Sequence, residues 1–296
     1  MVLREKKTQQ AEAAMQINGK TIVVTGATSG LGQAAAIDFA HQGAHVIIVG
    51  RDAHRAEETR VLATQTGGKA DVVLGDVSTV GGARALAAAI LAKTSRVDVL
   101  LNNAGGTFKS RMLTRDGIEM SFALNTLGAF VLETELHGAL AAAGGRAVNV
   151  ATGFLDRFPL DVNDIAAPHA YKGMAQYGRA KLASVMMTVE QAHRLEGVKF
   201  VSVHPGIIMG TRFGGGQPRA MQLLMGPVLR VMGLACTLDE AVRRFAVACF
   251  GDVSNGSYLV KGKEAPLPKQ ANQAPVRDGI WQLLERASHR EQARAA

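Results

Sequence analysis

Short runs of branched apolar residues alternate along the chain with longer stretches of helix formers. Thr21–Val24, His45–Val49, Asp71–Leu74, Val97–Leu101, Arg146–Val150, Val198–Val203 and Ser257–Val260 each read as a short strand. Several carry apolar residues at consecutive positions, which marks strands buried on both faces, as in a parallel sheet. Between them, 31–42, Arg55–Gln65, Gly81–Lys93, about 115–143 and about 175–196 read as helices. Gly43 is a natural stop for the first, and Leu182, Val185, Met186 and Val189 form a stripe of period 3.6 on the last. Strands that alternate with helices predict an α/β fold: a doubly wound parallel sheet of about seven strands with helices on both faces. No internal repeat and no linker interrupts the pattern. It predicts one domain over 17–296, preceded by a polar, helix-prone extension over 1–16.

The first strand runs straight into Gly26, Gly30 and Gly32, and then into the helix formers 33–40. Glycine lets a backbone come close to a ligand, and a helix N-terminus offers unpaired N–H groups and a positive dipole end. A diphosphate needs both. The spacing is Gly-x-x-x-Gly-x-Gly rather than the dinucleotide fingerprint Gly-x-Gly-x-x-Gly, so a glycine-rich turn without a ligand also fits this stretch alone.

In a doubly wound sheet, ligands sit beyond the carboxyl ends of the strands. Polar candidates follow the strands in that way. Asn102-Asn103-Ala104-Gly105 follows the fourth, Ala151-Thr152 the fifth and His204-Pro205-Gly206 the sixth, while Tyr177 and Lys181 lie one turn apart on the last helix. Taken singly, each has a plain reading as a turn or a chance pair. Taken in this order, the chain resembles the short-chain dehydrogenase/reductase family from about Asn18 to about Val260. The resemblance rests on Thr25-Gly-Ala-Thr-Ser-Gly-Leu-Gly32, Asp76, Asn102–Gly105, Asn125, Tyr177-x-x-x-Lys181 and Pro205-Gly206.

That resemblance implies a Rossmann-type fold and an oxidoreductase that interconverts a carbonyl and an alcohol by hydride transfer. It implies Tyr177, Lys181, Thr152 and Asn125 as the catalytic group. Tyr177 would be the acid. A free phenol titrates near 10, and the Lys181 charge is expected to lower that. Asn125 would support a water that links Lys181 to solvent, or else make a helix-to-helix hydrogen bond. Where the family usually has two serines, this chain has Ala151 and Thr152, and Thr152 stands 25 residues before Tyr177. That longer spacer resembles the retinol dehydrogenase-like branch, with Thr152 in place of the active serine. A threonine hydroxyl can donate the same hydrogen bond, although its methyl group restricts χ1.

For the cofactor, the resemblance places Gly26, Thr28, Ser29, Gly30, Leu31 and Gly32 around the diphosphate, and Asp76 and Val77 beside the adenine. Asn103, Ala104, Gly105, Tyr177, Lys181, Pro205, Gly206 and Ile208 complete the set, while a contact from Thr211 is in doubt because Gly210 intervenes. After Val49, where NAD-preferring relatives usually place an aspartate, stand Gly50 and Arg51. A guanidinium in place of a carboxylate favours the 2′-phosphate of NADP(H). A solvated surface role is the alternative for Arg51.

Composition removes other classes. The 47% of hydrophobic and 20% of charged residues describe an ordinary globular chain with an ample core. The net charge of +8 could suit an anionic cofactor, but only 5% of residues are aromatic and no basic run is interleaved with them. No nucleic-acid partner is expected. Cys236 and Cys249 support neither a disulfide framework nor a metal site. With no signal-type segment and no apolar run of about 20 residues, a cytoplasmic protein without a transmembrane segment is expected.

Residues 207–236 are rich in methionine and leucine around Gly214–Gly216, and the family resemblance makes them a cover for a lipophilic substrate. An amphipathic surface helix fits them equally. The partner is then a small carbonyl or alcohol, and a homo-oligomer is left open. A natural-product, polyketide or steroid ketoreductase, and a catalytically silent NADP-binding regulator, remain as alternatives.

Overall fold

The computed structural model describes residues 17–166, 169–208 and 235–289. Its strands are β1 (Thr21–Thr25), β2 (His45–Gly50), β3 (Lys69–Leu74), β4 (Val99–Asn102), β5 (Arg146–Val150), β6 (Lys199–His204), β7 (Ile207–Ile208), β8 (Ala235–Cys236), β9 (Tyr258–Val260) and β10 (Lys263–Ala265). Eight of them form one sheet in the order β10-β9-β6-β5-β4-β1-β2-β3, and β7 and β8 pair separately. The expected strands are all there, and all neighbours in the sheet are parallel except β10 on β9. The extra strand is the polar tripeptide Lys-Glu-Ala at the sheet edge, which gives no hydrophobic signal. It turns back from β9 through Lys261 and Gly262, both at positive φ, as tight hairpins require.

Chain direction across the sheet reverses at β1. Val23 pairs with Ile47 of β2 on one side and with Leu100 of β4 on the other. The crossover leaves a crevice at the carboxyl ends of β1 and β4. Side chains alternate across the strands, so Ile22 and Val24 enter one layer and Val23 the other. The first layer holds α1 (Gly30–His41) and α2 (Ala53–Thr64), and, from further along the chain, Phe245 beside Phe39. The second holds α3 (Val80–Leu91), α4 (Gly128–Glu135), α5 (His137–Ala141) and α6 (Gly173–Arg194). Phe245 lies on α7 (Leu238–Phe250), whereas α8 (Ala274–Ser288) packs Trp281 edge-on against Phe130 in the second layer.

The helix expected over about 115–143 starts later and is broken. A turn at 114–117 and a bridge from Leu113 to Glu119 occupy its first residues. The Glu119 carboxylate then accepts from the N–H groups of Ser121 and Phe122 and caps the helix. Met120–Phe122 is α-helical, Ala123–Leu127 widens into a π turn, and α4 follows. Such turns recur at functional positions, and this one contains Asn125.

Helix α6 is buried over residues 176–191 on every side except at Arg179. Its expected apolar stripe is in the core, but a second, polar stripe is buried too: Tyr177, Lys181, Ser184, Thr188 and Gln191. The lower part of that stripe meets the sheet through Glu133 of α4. The Glu133 carboxylate accepts from Asn102 at 2.8 Å, Asn149 at 2.9 Å and Gln191 at 2.7 Å. Thr188 accepts from Asn149 and Ser202. Burial pushes the Glu133 carboxyl up to about 7, and the three amide donors only partly offset it.

A carboxyl raised from 4.5 to about 7 on folding binds a proton in the native state that the unfolded chain releases. Stability therefore falls as pH rises through that window, by on the order of 3 kcal/mol across it. The Gln191 Oε1 is buried without a partner and can turn to accept from a neutral side chain at position 133. Thermal melting of Glu133→Gln between pH 5 and 8 should therefore show a flatter pH dependence than the unaltered protein. An unchanged slope would assign the effect to another group.

Candidate active site

The glycine turn is held by two residues from the end of β4. The Asn103 amide donates to the carbonyls of Thr25 at 2.9 Å and Gly26 at 3.2 Å. The Ala104 N–H donates to Thr25 Oγ1 at 3.0 Å. Gly26 stands at φ +65°, and a Cβ there would lie 2.9 Å from the Ala104 Cα. At Gly32 a Cβ would run into the Asn103 amide. Ser29 is the N-cap of α1 in extended backbone, and its side chain makes no capping bond to the first turn. Leu31 and Thr28 flank the turn, and the Thr28 methyl fills the space over Gly50. No side chain fits at Gly50 while Thr28 stays there.

Arg51 projects into solvent at 72% exposure, with its guanidinium 3.6 Å from the Asp76 carboxylate. These two meet only through the fold, 25 positions apart in the chain. Burial would raise the Asp76 carboxyl, but the Ser78 N–H and hydroxyl and the Arg51 charge together hold it below its usual value. Val77 is buried beside it, and its carbonyl is closely packed by Gly128 of α4.

Tyr177 and Lys181 stand on the upper end of the polar stripe of α6, facing the exit of β5. The Lys181 ammonium donates to the Val150 carbonyl at 2.6 Å, and the Tyr177 phenol is hydrogen-bonded to the Thr152 side chain. Tyr258 of β9 donates its hydroxyl to the Thr152 carbonyl at 2.7 Å. Burial pushes Lys181 down to about 8. The expected depression of the Tyr177 phenol is not found: burial raises it, with only the Thr152 hydrogen bond opposing. The reason is the dry surroundings of the phenol.

Asn125 is buried in the π turn. Its amide donates to the carbonyls of Gly106 and Ser121, and its Oδ1 accepts from the Gly106 N–H. That pattern staples the loop after β4 to the π turn. A Cβ at Gly105 would lie 2.7 Å from Asn125 Oδ1 and 3.3 Å from Lys181 Nζ, so that loop runs between the two.

After β6, the Pro205 carbonyl accepts from Arg244 Nη1 at 2.6 Å and from Cys236 Sγ at 3.3 Å. Gly206 is at φ +108°, and Ile208 pairs with Cys236 in the small second sheet. His204 packs against Gly153, and burial, with Arg244 and Lys261 nearby, pushes its imidazole down to about 4. Thr211 and most of the expected substrate cover, 209–234, lie outside the described residues.

The structure thus places the expected residues after β1 to β6, with Asn125 in the π turn and Tyr177 and Lys181 on α6. Sequence reasoning missed Thr25 as a latch, Glu133 and Gln191 beneath the site, and Arg244 and Tyr258 at its edge. Glu133 is the first of three consecutive polar residues that end this helix, so its burial carried no distinct signal. For Tyr258, 106 residues from Thr152, there was none. Among the described residues, no His/Cys/Asp/Glu group could hold a metal ion, and no helix is long and apolar enough to cross a membrane.

The family described as short chain dehydrogenase matches residues 20–220. The chain is similar to the "Putative daunorubicin C-13 ketoreductase DnrU" of Streptomyces sp. (strain C5), at 32% identity over 89% of this chain and 91% of that protein. It is also similar to retinol dehydrogenase 14 of Mus musculus, at 33% identity over 91% of this chain and 86% of that protein. A crystal structure of an uncharacterized protein from Mycobacterium paratuberculosis superposes with a TM-score of 0.73 at 25% identity, over 93% of this chain and 96% of that one.

Gly26→Ala tests the tightness of the turn. A side chain at positive φ costs about 1–2 kcal/mol, and the contact with the Ala104 backbone cannot relax as a side-chain tip could. Affinity for a nicotinamide dinucleotide, measured by fluorescence titration, should fall at least ten-fold while the melting temperature drops only a few degrees. An affinity equal to that of the unaltered protein would show that the turn does not carry the ligand.

Proposed function

The chain belongs to the short chain dehydrogenase family, and from that premise we propose that it is an NADP(H)-dependent oxidoreductase interconverting a lipophilic ketone or aldehyde and the matching alcohol. The observation that carries this reading is the paired hydroxyls of Tyr177 and Thr152, one helical turn from the buried Lys181 ammonium and beside the loop after β4. One hydroxyl pair facing a crevice is what a carbonyl oxygen needs for orientation and protonation.

The residues present fit a dinucleotide. Gly26 and Gly30 at positive φ, and the helix start without a side-chain cap, provide a cradle for a diphosphate. The absence of a carboxylate at Gly50 and the projecting guanidinium of Arg51 support a 2′-phosphate rather than a free ribose hydroxyl there. Asp76 would then release Arg51 from a contact too long to be a hydrogen bond.

When bound, the nicotinamide supplies or accepts the hydride. The protein's part is protonic and positional. Tyr177 stays a neutral phenol through the physiological range, so its Oη holds the proton that the developing alkoxide takes in reduction. Thr152 donates a second hydrogen bond to the same oxygen. Lys181 holds the exit of β5 through Val150 and keeps a positive charge near the phenol, against a pKa of about 8. Asn125 fixes the loop after β4 that carries Gly105.

The large apolar side chains Met112, Leu113, Phe154 and Met174 are exposed, and all four lie on the segments that carry the site. They support a lipophilic substrate entering between the loops after β4 and β5 and the start of α6. The two named relatives, a ketoreductase and a retinol dehydrogenase, stand for the two directions of this chemistry.

NADPH oxidation with 9,10-phenanthrenequinone and a panel of apolar ketones and aldehydes tests this reading. Tyr177→Phe should bind NADPH nearly as well as the unaltered protein and lose at least 99% of turnover, on the order of the 10²-fold that a positioned acid supplies. Undiminished turnover would remove Tyr177 from the reaction. Arg51→Asp should lower the NADPH-to-NADH ratio of kcat/KM by at least ten-fold, and an unchanged ratio would show that Arg51 does not read the phosphate.

A further inference from the structure

The three residues that leave β5 are gripped by the protein at four points. Lys181 Nζ donates to the Val150 carbonyl at 2.6 Å. The Ala151 N–H donates to the Val203 carbonyl at 2.8 Å. Thr152 is held twice: its side chain by Tyr177, and its carbonyl by the Tyr258 hydroxyl at 2.7 Å. Tyr177 and Lys181 belong to the motif on α6. Tyr258 comes from β9, on the far side of β6, and its ring is buried in the second core layer. Burial, with Asp156 nearby, raises its phenol above the usual value, so it remains a hydrogen-bond donor at every physiological pH.

We propose that Tyr258 is a positioning residue that aims the Thr152 hydroxyl at the substrate carbonyl. The reason lies in the threonine. Two heavy substituents on Cβ restrict χ1, so the direction of the Thr152 Oγ1 follows the backbone that carries it. Serine has more freedom at χ1 than threonine to make good a small backbone rotation. A chain with threonine at this place needs its peptide plane fixed, and the hydrogen bond from Tyr258 to the Thr152 carbonyl fixes it. This inference rests on the reading of Thr152 as the group that orients the carbonyl.

Tyr258→Phe removes one oxygen and keeps the ring in the core. The test is a cycle of Tyr258→Phe in three backgrounds: native Thr152, Thr152→Ala and Thr152→Ser. Turnover of 9,10-phenanthrenequinone is counted per folded site by NADPH titration, below each variant's melting temperature. In the native background kcat should fall about ten-fold, the worth of one hydrogen bond, with KM for NADPH unchanged. With alanine at 152, Tyr258→Phe should cause no further loss, because no hydroxyl is left to aim. With serine at 152, the loss should be no more than about two-fold.

A crystal structure of Tyr258→Phe should show Thr152 Oγ1 turned away from Tyr177. An equal fractional loss in all three backgrounds would make Tyr258 a packing residue and overturn the proposal. So would full activity of Tyr258→Phe, or an unmoved Thr152 in its crystal structure. If Thr152→Ala alone turns over like the native protein, or the native protein shows no turnover, the reading of Thr152 fails first and takes this proposal with it.

Discussion

A single buried carboxyl sets the register on which the site depends. Glu133 lies between the sheet and α6, and three amides from β4, β5 and α6 converge on its two oxygens. An apolar contact layer there would tolerate a slide of α6 by part of a turn, since methyl groups pack in many ways. Hydrogen bonds between buried polar groups allow few arrangements, because each donor left unpaired costs about 1–3 kcal/mol. With Gln191 and Thr188 fixed at the lower end, Lys181 and Tyr177 arrive at the exit of β5 through the rigidity of the helix.

Strand β4 connects this layer to the glycine turn. Asn102 and Asn103 are adjacent, and the pleat sends them opposite ways. Asn102 joins Glu133 and Asn149, while Asn103 latches onto the carbonyls of Thr25 and Gly26. The same few residues therefore hold the phosphate-type turn on one side and the Tyr-Lys helix on the other. They sit where the chain reverses its progress across the sheet, at the carboxyl ends of β1 and β4.

Charge at the site follows burial more than proximity. Lys181 is pushed down and Tyr177 up because both are dry, and the lysine's hydrogen bond goes to a backbone carbonyl. Arg51 and Asp76, at the solvent-facing mouth, find each other as an ion pair of the kind that contributes little to stability. Such a contact is easily exchanged for a better partner.

The order of strands and helices was legible in the chain because parallel strands buried on both faces must be apolar throughout, and because strand ends carry the polar residues of this architecture. The glycines, Asn103, Thr152, Tyr177 and Lys181 were legible for the same reason: each sits at a strand end or one turn along a helix, so local spacing places it. Other features were settled only by folding. The edge strand Lys263–Ala265 has no apolar face. The helix over 115–143 loses its start to a capped turn at Glu119 and its continuity to a π turn. Burial raises the Tyr177 phenol, and that enclosure exists only in the folded chain. The bonds from Glu133 to Asn102 and from Tyr258 to Thr152 join residues 31 and 106 positions apart. Hydrophobic periodicity records which face of an element is buried, but not which polar group waits on the other side, and that second fact exists only once the layers have closed.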